Sequence, residues 1–245
     1  MLVIAHRGAN REALENSRSA YEKAIEGGSD SIELDARLSK DGKVFVLHDE
    51  SLAYSVGISG KISQLSSQEL TTLKLKNGEA IPLLENVLND FLPQVAFVVE
   101  LKGPSLALAK HVAEIVQNVK YKEKVTLASF HPQPILYLKH DYPHLRRGYT
   151  WSPFDHFVSP VSFNSPQIAL RECRTNIIYP RHDLITPAFM DQAKHRGWEV
   201  FPWVPKAIDD FQLHKEMNLW SYLRELAIDG LCTNRPRELR QWLNI

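Results

Sequence analysis

Eight short apolar runs recur along the chain, separated by stretches of helical or irregular character. They are "LVIA" (2–5), "SIELDA" (31–36), "VAFVVELK" (95–102), "KVTLASF" (124–130), "LRRGYT" (145–150), "TNIIYP" (175–180), "WEVFPWV" (198–204) and "IDGLCTN" (228–234). Their length, their β-branched and aromatic content and the turn residues around them mark strands. The intervening stretches carry the other period. Ala20, Tyr21, Ala24 and Ile25 recur at helical spacing and are stopped by Gly27-Gly28. Leu84, Val87, Leu88 and Phe91 mark a second helix face, and Ser105 can cap a third helix carrying Leu106, Ala109, Ala113 and Val116 on one side. Strands that alternate with helices pair in parallel, because each helix carries the chain back to the same end of the sheet. Eight such units predict an α/β fold closed into a (β/α)8 TIM barrel. An open doubly wound sheet is the rival, but no GxGxxG turn follows the first strand.

The 245 residues fall in the range of about 200–250 that a single α/β barrel occupies. No linker-like segment or block of like charge divides them, so residues 1–245 are expected to form one domain. Lysine plus arginine and aspartate plus glutamate balance at 29 each, whereas a nucleic-acid binder would be expected to show a basic face. Cys173 and Cys232 lie far apart in no CxxC pair, which suits buried free thiols better than a disulfide or a zinc site. Met1 leads straight into the first strand without a signal-peptide pattern, and no apolar run approaches the roughly 20 residues of a bilayer span. The expectation is a cytoplasmic protein without membrane anchor or nucleic-acid partner. Oligomeric state leaves no mark in the sequence.

One run breaks the parallel rhythm. Asp41-Gly42 is a two-residue hairpin signal, so Val44–His48 is expected to fold back antiparallel on the second strand. Counting outward from that turn pairs Lys40 with Lys43, Arg37 with Val46 and Asp35 with His48. Opposed residues share a face, so this register predicts that His48 meets the acids of the second strand.

Those acids are out of place in an apolar run. Glu33 and Asp35 are two apart and point the same way, and Glu100 ends the next parallel strand. Three carboxylates on adjacent strand ends make an all-oxygen set suited to a hard divalent cation, Mg²⁺, Ca²⁺ or Mn²⁺. The competing reading is a structural ion-pair network with Lys102, Arg7 or Arg37, since buried charges need partners. His6 and Arg7 end the first strand, on the face where barrel enzymes build their sites. With His48 they would set two imidazoles and a guanidinium around a cation. A phosphodiester calls for that combination: its anionic oxygens must be neutralised, the nucleophile must lose a proton and the leaving alkoxide must gain one. Trp203, at another strand end, can pack on an alcohol group or serve as rim packing.

The segment "AHRGANREALENSRSAYEKAIEGGSDSIELDARLSKDGKVFVLHDESL" resembles the start of glycerophosphodiester phosphodiesterases. The shared landmarks are His-Arg-Gly, Glu-Asn, Glu-x-Asp, Lys-Asp-Gly and His-Asp-x-x-Leu, in that order. "IPLLENVL", "VELK", "ASF", "FPWVP" and "DGLCTNRP" follow, so the likeness is dense to residue 52 and thin beyond 130. The resemblance implies a TIM barrel with a small insertion after the second strand, here about 49–80. It implies Glu33, Asp35 and Glu100 as metal ligands, His6 and His48 as the acid/base pair, and Arg7 and Lys102 as phosphate contacts. Glu15-Asn16 would support the first loop. The implied reaction is metal-dependent hydrolysis of a small glycerophosphodiester to an alcohol and sn-glycerol 3-phosphate. Either histidine can take either role, and water or a neighbouring substrate hydroxyl can attack.

The chain departs from the family pattern at Leu14 in place of a proline, at Tyr54 or its neighbour in place of an arginine, at Val204-Pro205-Lys206 after Trp203, and at Asn234 in place of an aspartate. These positions are expected to bear on the alcohol moiety and to touch neither the metal ligands nor the two histidines. Two further readings remain: a non-catalytic barrel that binds phosphate esters, and a lysophospholipase D acting on lipid diesters.

Overall fold

The computed structural model describes residues 1–152, 165–205 and 213–244. Its strands are β1 (Leu2–His6), β2 (Ser31–Leu38), β3 (Val44–Val46), β4 (Ala96–Leu101), β5 (Val125–Ser129), β6 (Arg147–Trp151), β7 (Ile177–Pro180), β8 (Glu199–Val200) and β9 (Gly230–Thr233). All but β3 run parallel, in the spatial order β8-β7-β6-β5-β4-β2-β1-β9. Backbone hydrogen bonds bring the two ends of that order together: Asp229 N to Val200 O (3.1 Å), Cys232 N to Pro202 O (2.8 Å) and Val204 N to Cys232 O (3.2 Å). The eight predicted strands thus form a barrel.

Side-chain alternation gives each strand two faces. Val3 and Ala5 of β1, Ile32, Leu34 and Ala36 of β2, and Phe97, Val99 and Leu101 of β4 join the large apolar cluster beneath the helices. Ile4, Val98, Ala128, Ile177, Tyr179, Phe201 and Cys232 fill the barrel interior. Helix α1 (Arg18–Glu26) starts at Ser17, whose side chain accepts from Ala20 N, and ends at Gly27. Helix α3 (Leu84–Phe91) buries all four of its predicted face residues. Helix α4 (Leu106–Asn118) is capped by Ser105 as predicted, but its first residue, Leu106, is 49% exposed. Leu108 and Val112 complete the buried face instead. Both cysteines are free and buried. Among the described residues no helix is long and apolar enough to cross a membrane.

The hairpin differs from its prediction by one residue. The observed partners are Ala36 with Val46, Arg37 with Phe45 and Leu38 with Val44. Ser39 N donates to Lys43 O, so the loop is the three residues Lys40-Asp41-Gly42, with Gly42 at φ +84°. A third loop residue in the left-handed region is the next commonest hairpin solution after the two-residue turn. It is anchored here by Asp41, which accepts from Ser39 Oγ and from Ser67 N. A slip of one exchanges the faces of a strand, and continued pairing would turn His48 away from Asp35. The chain avoids this by leaving the ladder. Leu47 N donates to Asp35 O (3.0 Å), after which Arg37 Nε and Nη2 hold the His48 carbonyl at 2.8 and 2.6 Å.

Beyond the hairpin, a 3-10 turn (Ile62–Gln64) and helix α2 (Ser67–Thr72) pack around Phe45, Leu47, Leu52, Ile62, Leu70, Leu75 and Ile81. The Ser66 side chain and Glu69 close a capping box on α2. This small second core holds the loop that carries His48.

Candidate active site

Strand register sets the site. His6 lies level with Glu33 between β1 and β2, and Asp35 lies level with Glu100 between β2 and β4. All four sit on inward positions at the C-terminal ends of their strands. After β1 the chain turns sharply: Arg7 takes φ +58° and Gly8 φ +80°. A Cβ on Gly8 would stand 2.7 Å from Ala20 Cβ, so glycine is required where the loop presses on α1. The turn aims Arg7 back into the site, where its backbone N–H donates to Glu33 Oε2 (3.1 Å).

Glu33, Asp35 and Glu100 each offer an oxygen, and these oxygens lie within 4.8 Å of one another. Arg7 Nε is 3.3 Å from Asp35 Oδ2, and its Nη1 donates to Glu15 Oε1 (3.1 Å). Lys102 Nζ donates to Glu100 Oε1 (2.7 Å) and lies 3.4 Å from Asp35 Oδ1. Asn16, itself in the left-handed region at φ +58°, donates from Nδ2 to Asp35 Oδ2 (2.7 Å). The ion-pair network considered as a rival therefore exists, but it does not satisfy the acids. Glu33 Oε1 and Asp35 Oδ1 are buried without a hydrogen-bond partner. Four acids (Glu15, Glu33, Asp35, Glu100) face two bases (Arg7, Lys102), a formal excess of two acidic groups. Two ligands of one ion can be at most twice a metal–oxygen bond apart, about 4–5 Å for hard divalent cations. The residues fit such a cation by spacing, by donor type and by charge.

The electrostatics carry the same imbalance. Burial raises the Glu33 carboxyl well above its ordinary range, helped by the charges of Asp35 and Glu100. Burial works against Asp35 too, but Lys102 and Arg7 outweigh it and hold its carboxyl far below the usual range. Burial also opposes the charge of Lys102, and Glu100 and Asp35 overcome it and raise its pKa.

His6 Nε2 stands 3.9 Å from Glu33 Oε2, and its Nδ1 lies 2.8 Å from Asn234 Oδ1, so the departure at Asn234 does touch a histidine of the site, against the expectation from sequence. Burial, with Arg7 second, pulls its pKa down to about 3. His48 is less buried, keeps a 2.8 Å contact between Nδ1 and Asp49 Oδ1, and is lowered by burial above all. Both rings line one cavity of about 580 Å³ at the open end of the barrel.

Seven of the eight site residues expected from sequence line that cavity: His6, Arg7, Glu33, His48, Glu100, Lys102 and Trp203. Asp35, 1% exposed, lies beneath them. Trp203 meets Phe130 edge-on, ring centroids 5.6 Å apart. His131, a helix-start residue close behind β5 whose position suits either the cavity or solvent, forms part of the wall; His182, behind β7, does not. Lys206 lies outside the described residues. Asn10 holds the site together without having been singled out, Asn16 reaches Asp35 rather than only supporting the first loop, and Arg37, named as a partner for the acids, holds the His48 carbonyl and Glu50 instead. Arg37 had a readable signal, being the next inward position of β2 after Asp35.

The family model for the glycerophosphoryl diester phosphodiesterase family matches residues 6–238. A glycerophosphodiester phosphodiesterase of Caldanaerobacter subterraneus subsp. tengcongensis is 27% identical, covering 97% of this chain and 96% of its own. A lysophospholipase D of Mus musculus is also 27% identical, over 98% of this chain and 85% of its own. Among solved structures, an Oleispira antarctica phosphodiesterase in complex with the product sn-glycerol-3-phosphate shares the fold at TM-score 0.85 and 20% identity, covering 100% of this chain and 97% of the other. With the match running from the end of β1 to the last helix, the chain belongs to the glycerophosphoryl diester phosphodiesterase family.

Proposed function

We propose that this protein hydrolyses small glycerophosphodiesters to an alcohol and sn-glycerol 3-phosphate with a divalent cation held by Glu33, Asp35 and Glu100. The observation that carries this reading is the cluster of three carboxylates, with Glu33 Oε1 and Asp35 Oδ1 buried without a hydrogen bond, beside two imidazoles that line one cavity. When bound, the cation supplies positive charge at the phosphoryl oxygens and at the attacking oxygen.

The remaining work belongs to the chain. Lys102 gives one hydrogen bond to Glu100, faces Asp35 with a second N–H and has a third donor for a phosphoryl oxygen; Arg7 presents its guanidinium to the same cavity. As the attacking oxygen bonds to phosphorus, its proton passes to one imidazole. As the bond from phosphorus to the leaving oxygen breaks, that oxygen takes a proton from the other. His6 and His48 are the two rings. Phe130 and Trp203 give an apolar wall against which the carbon part of the diester can pack, and burial there lowers the local dielectric around the charged groups.

Release of glycerol 3-phosphate from glycerophosphocholine tests the reading, measured with chelator and after restoring Mg²⁺, Ca²⁺ or Mn²⁺ singly. The expected result is turnover lost with chelator and regained with at least one ion. Binding of diesters without product release would overturn hydrolysis in favour of a phosphate-ester-binding barrel. A lysophospholipase D activity is the second reading, favoured by the apolar wall and by the likeness to the mouse protein. Faster cleavage of lysophosphatidylcholine than of glycerophosphocholine would select it.

A further inference from the structure

The proton transfers of the proposed reaction use one ring nitrogen of His6, and the neighbours of the other nitrogen decide which. Asn10 Nδ2 lies 2.7 Å from the backbone oxygen of His6 and 2.6 Å from Asn234 Oδ1. A backbone carbonyl only accepts, so the Asn10 group facing it is the amide NH2, which has two hydrogens to give. The Asn234 atom facing that NH2 is therefore the oxygen. The Asn234 nitrogen is directed to Val204 O (3.5 Å), a second obligatory acceptor. His6 Nδ1 lies 2.8 Å from the same Asn234 oxygen. An amide oxygen does not donate, so Nδ1 carries the hydrogen and Nε2 of the neutral ring keeps the lone pair. Nε2 is the nitrogen on the Glu33 side, 3.9 Å from Glu33 Oε2.

Burial makes this arrangement binding. Asn234 is 1% exposed and His6 8%. The opposite tautomer would set the Nδ1 lone pair against the lone pairs of Asn234 Oδ1, with no solvent to separate them. The roles are also fixed from outside the ring, because both ends of the relay rest on backbone carbonyls that cannot change sense.

We propose that Asn234, oriented by Asn10, is a positioning residue that holds His6 in the Nδ1–H tautomer and makes Nε2 the atom that exchanges protons with substrate. The catalytic consequence rests on the diester-hydrolase reading; the tautomer rests on hydrogen-bond roles alone. Asn10 lies four residues beyond His6, whereas Asn234 directly follows β9, so the clamp ties the first strand to the last across the barrel seam.

The test is a long-range proton–nitrogen correlation spectrum of the histidine rings in the full-length protein, with and without Mg²⁺, at mildly alkaline pH. The His6 signals are identified by their loss in His6→Gln. The expected wild-type result is a protonated-type Nδ1 and an unprotonated-type Nε2; a proton on Nε2, or an even mixture, overturns the proposal. In Asn234→Leu the tautomers should mix and kcat on glycerophosphocholine should fall about 100-fold with KM nearly unchanged. Asn234→Asp keeps an acceptor at that point and should restore the tautomer. Loss of kcat in Asn234→Leu with the tautomer intact would overturn the positioning role. Should that variant not fold, Asn10→Ala leaves the Asn234 amide held by the long 3.5 Å bond to Val204 O alone and should give partial mixing; an unmixed spectrum there overturns the proposal that Asn10 orients Asn234. A wild-type protein with the expected tautomer but no turnover of any diester would sink the proposed function and leave the clamp standing.

Discussion

Near the strand ends, the inward positions from β1 to β4 are His6, Glu33, Asp35 and Glu100, whereas from β5 to β9 they include Ala128, Thr150, Tyr179 and Cys232. Among the described residues, one half of the barrel mouth is ionic and the other nearly apolar. Keeping the acids on neighbouring strands lets Arg7 and Lys102 each serve more than one of them. Apolar lining lowers the local dielectric, which strengthens charge interactions across the cavity. It also raises the penalty for a buried acid oxygen without a hydrogen bond, the condition of Glu33 Oε1 and Asp35 Oδ1. The contrast teaches that the ionic half does not satisfy its own acids, although Arg7 and Lys102 pair with them.

The strongest way to break the comparison is to remove charge from the ionic half. Asp35→Asn should lower kcat/KM by about 10⁴-fold, since the cation is asked for several kcal/mol of transition-state stabilisation. It should also destabilise the metal-free protein by about 3 kcal/mol, because Lys102 and Arg7 stay buried with one partner fewer. Steady-state kinetics and urea melts measure the two effects. His48→Ala should cost about 10³-fold in kcat with little loss of stability, as expected of a partly exposed proton-transfer group. Full turnover in His48→Ala would place the chemistry elsewhere.

The ionic half was also the more legible in sequence, for a physical reason. A carboxylate in an apolar strand violates the burial pattern, so Glu33, Asp35 and Glu100 announce themselves. The strands were legible for a related reason, since the shift between the two periodicities survives without knowledge of packing. The hairpin register was not. Whether Asp41-Gly42 closes a two- or a three-residue loop depends on anchoring by Ser39 and by Ser67, the latter 26 residues away. Nor was the means by which His48 reaches the cavity, because it depends on Arg37 holding a backbone carbonyl. In the apolar half Ala, Tyr, Cys and Phe look the same whether they line a site or fill a core. His131 is the instructive case: only its place in the wall, not its spacing, separates it from a solvated helix-start residue.

The apolar half should respond more mildly. Trp203→Ala removes the aromatic surface opposite Phe130, and KM should rise about 30-fold, in line with about 2 kcal/mol for an aromatic contact of this size. kcat should change far less than in His48→Ala. An equal fall in kcat would mean that Trp203 shapes the reacting end of the substrate, and the division between the halves would fail.

The smallest effect is a pH dependence that belongs to the ionic half. The folded pKa of His6 is about 3 against an ordinary 6.5, so between those values the unfolded chain binds a proton that the folded chain does not. Stability from this group is therefore complete above about 6.5 and is lost as pH falls toward 3. Glu33 has the opposite sign. Its folded pKa is raised, so above the ordinary 4.5 the folded protein retains a proton that the unfolded chain has released, and stability falls as pH rises. Between about 4.5 and 6.5 the two slopes, each about 1.4 kcal/mol per pH unit, oppose one another for as long as the folded protein keeps the Glu33 proton. Metal-free wild type should thus gain less stability than His6 alone would give as pH rises above 4.5, Glu33→Gln should recover the full His6 slope, and a saturating divalent cation should recover it too by favouring the ionised carboxylate. Denaturant melts across pH with and without Mg²⁺ measure all three. A full His6 slope in the metal-free wild type would show Glu33 ionised there, with its charge compensated by Arg7 and Lys102 alone, and the two halves of the barrel mouth would then be balanced without an ion.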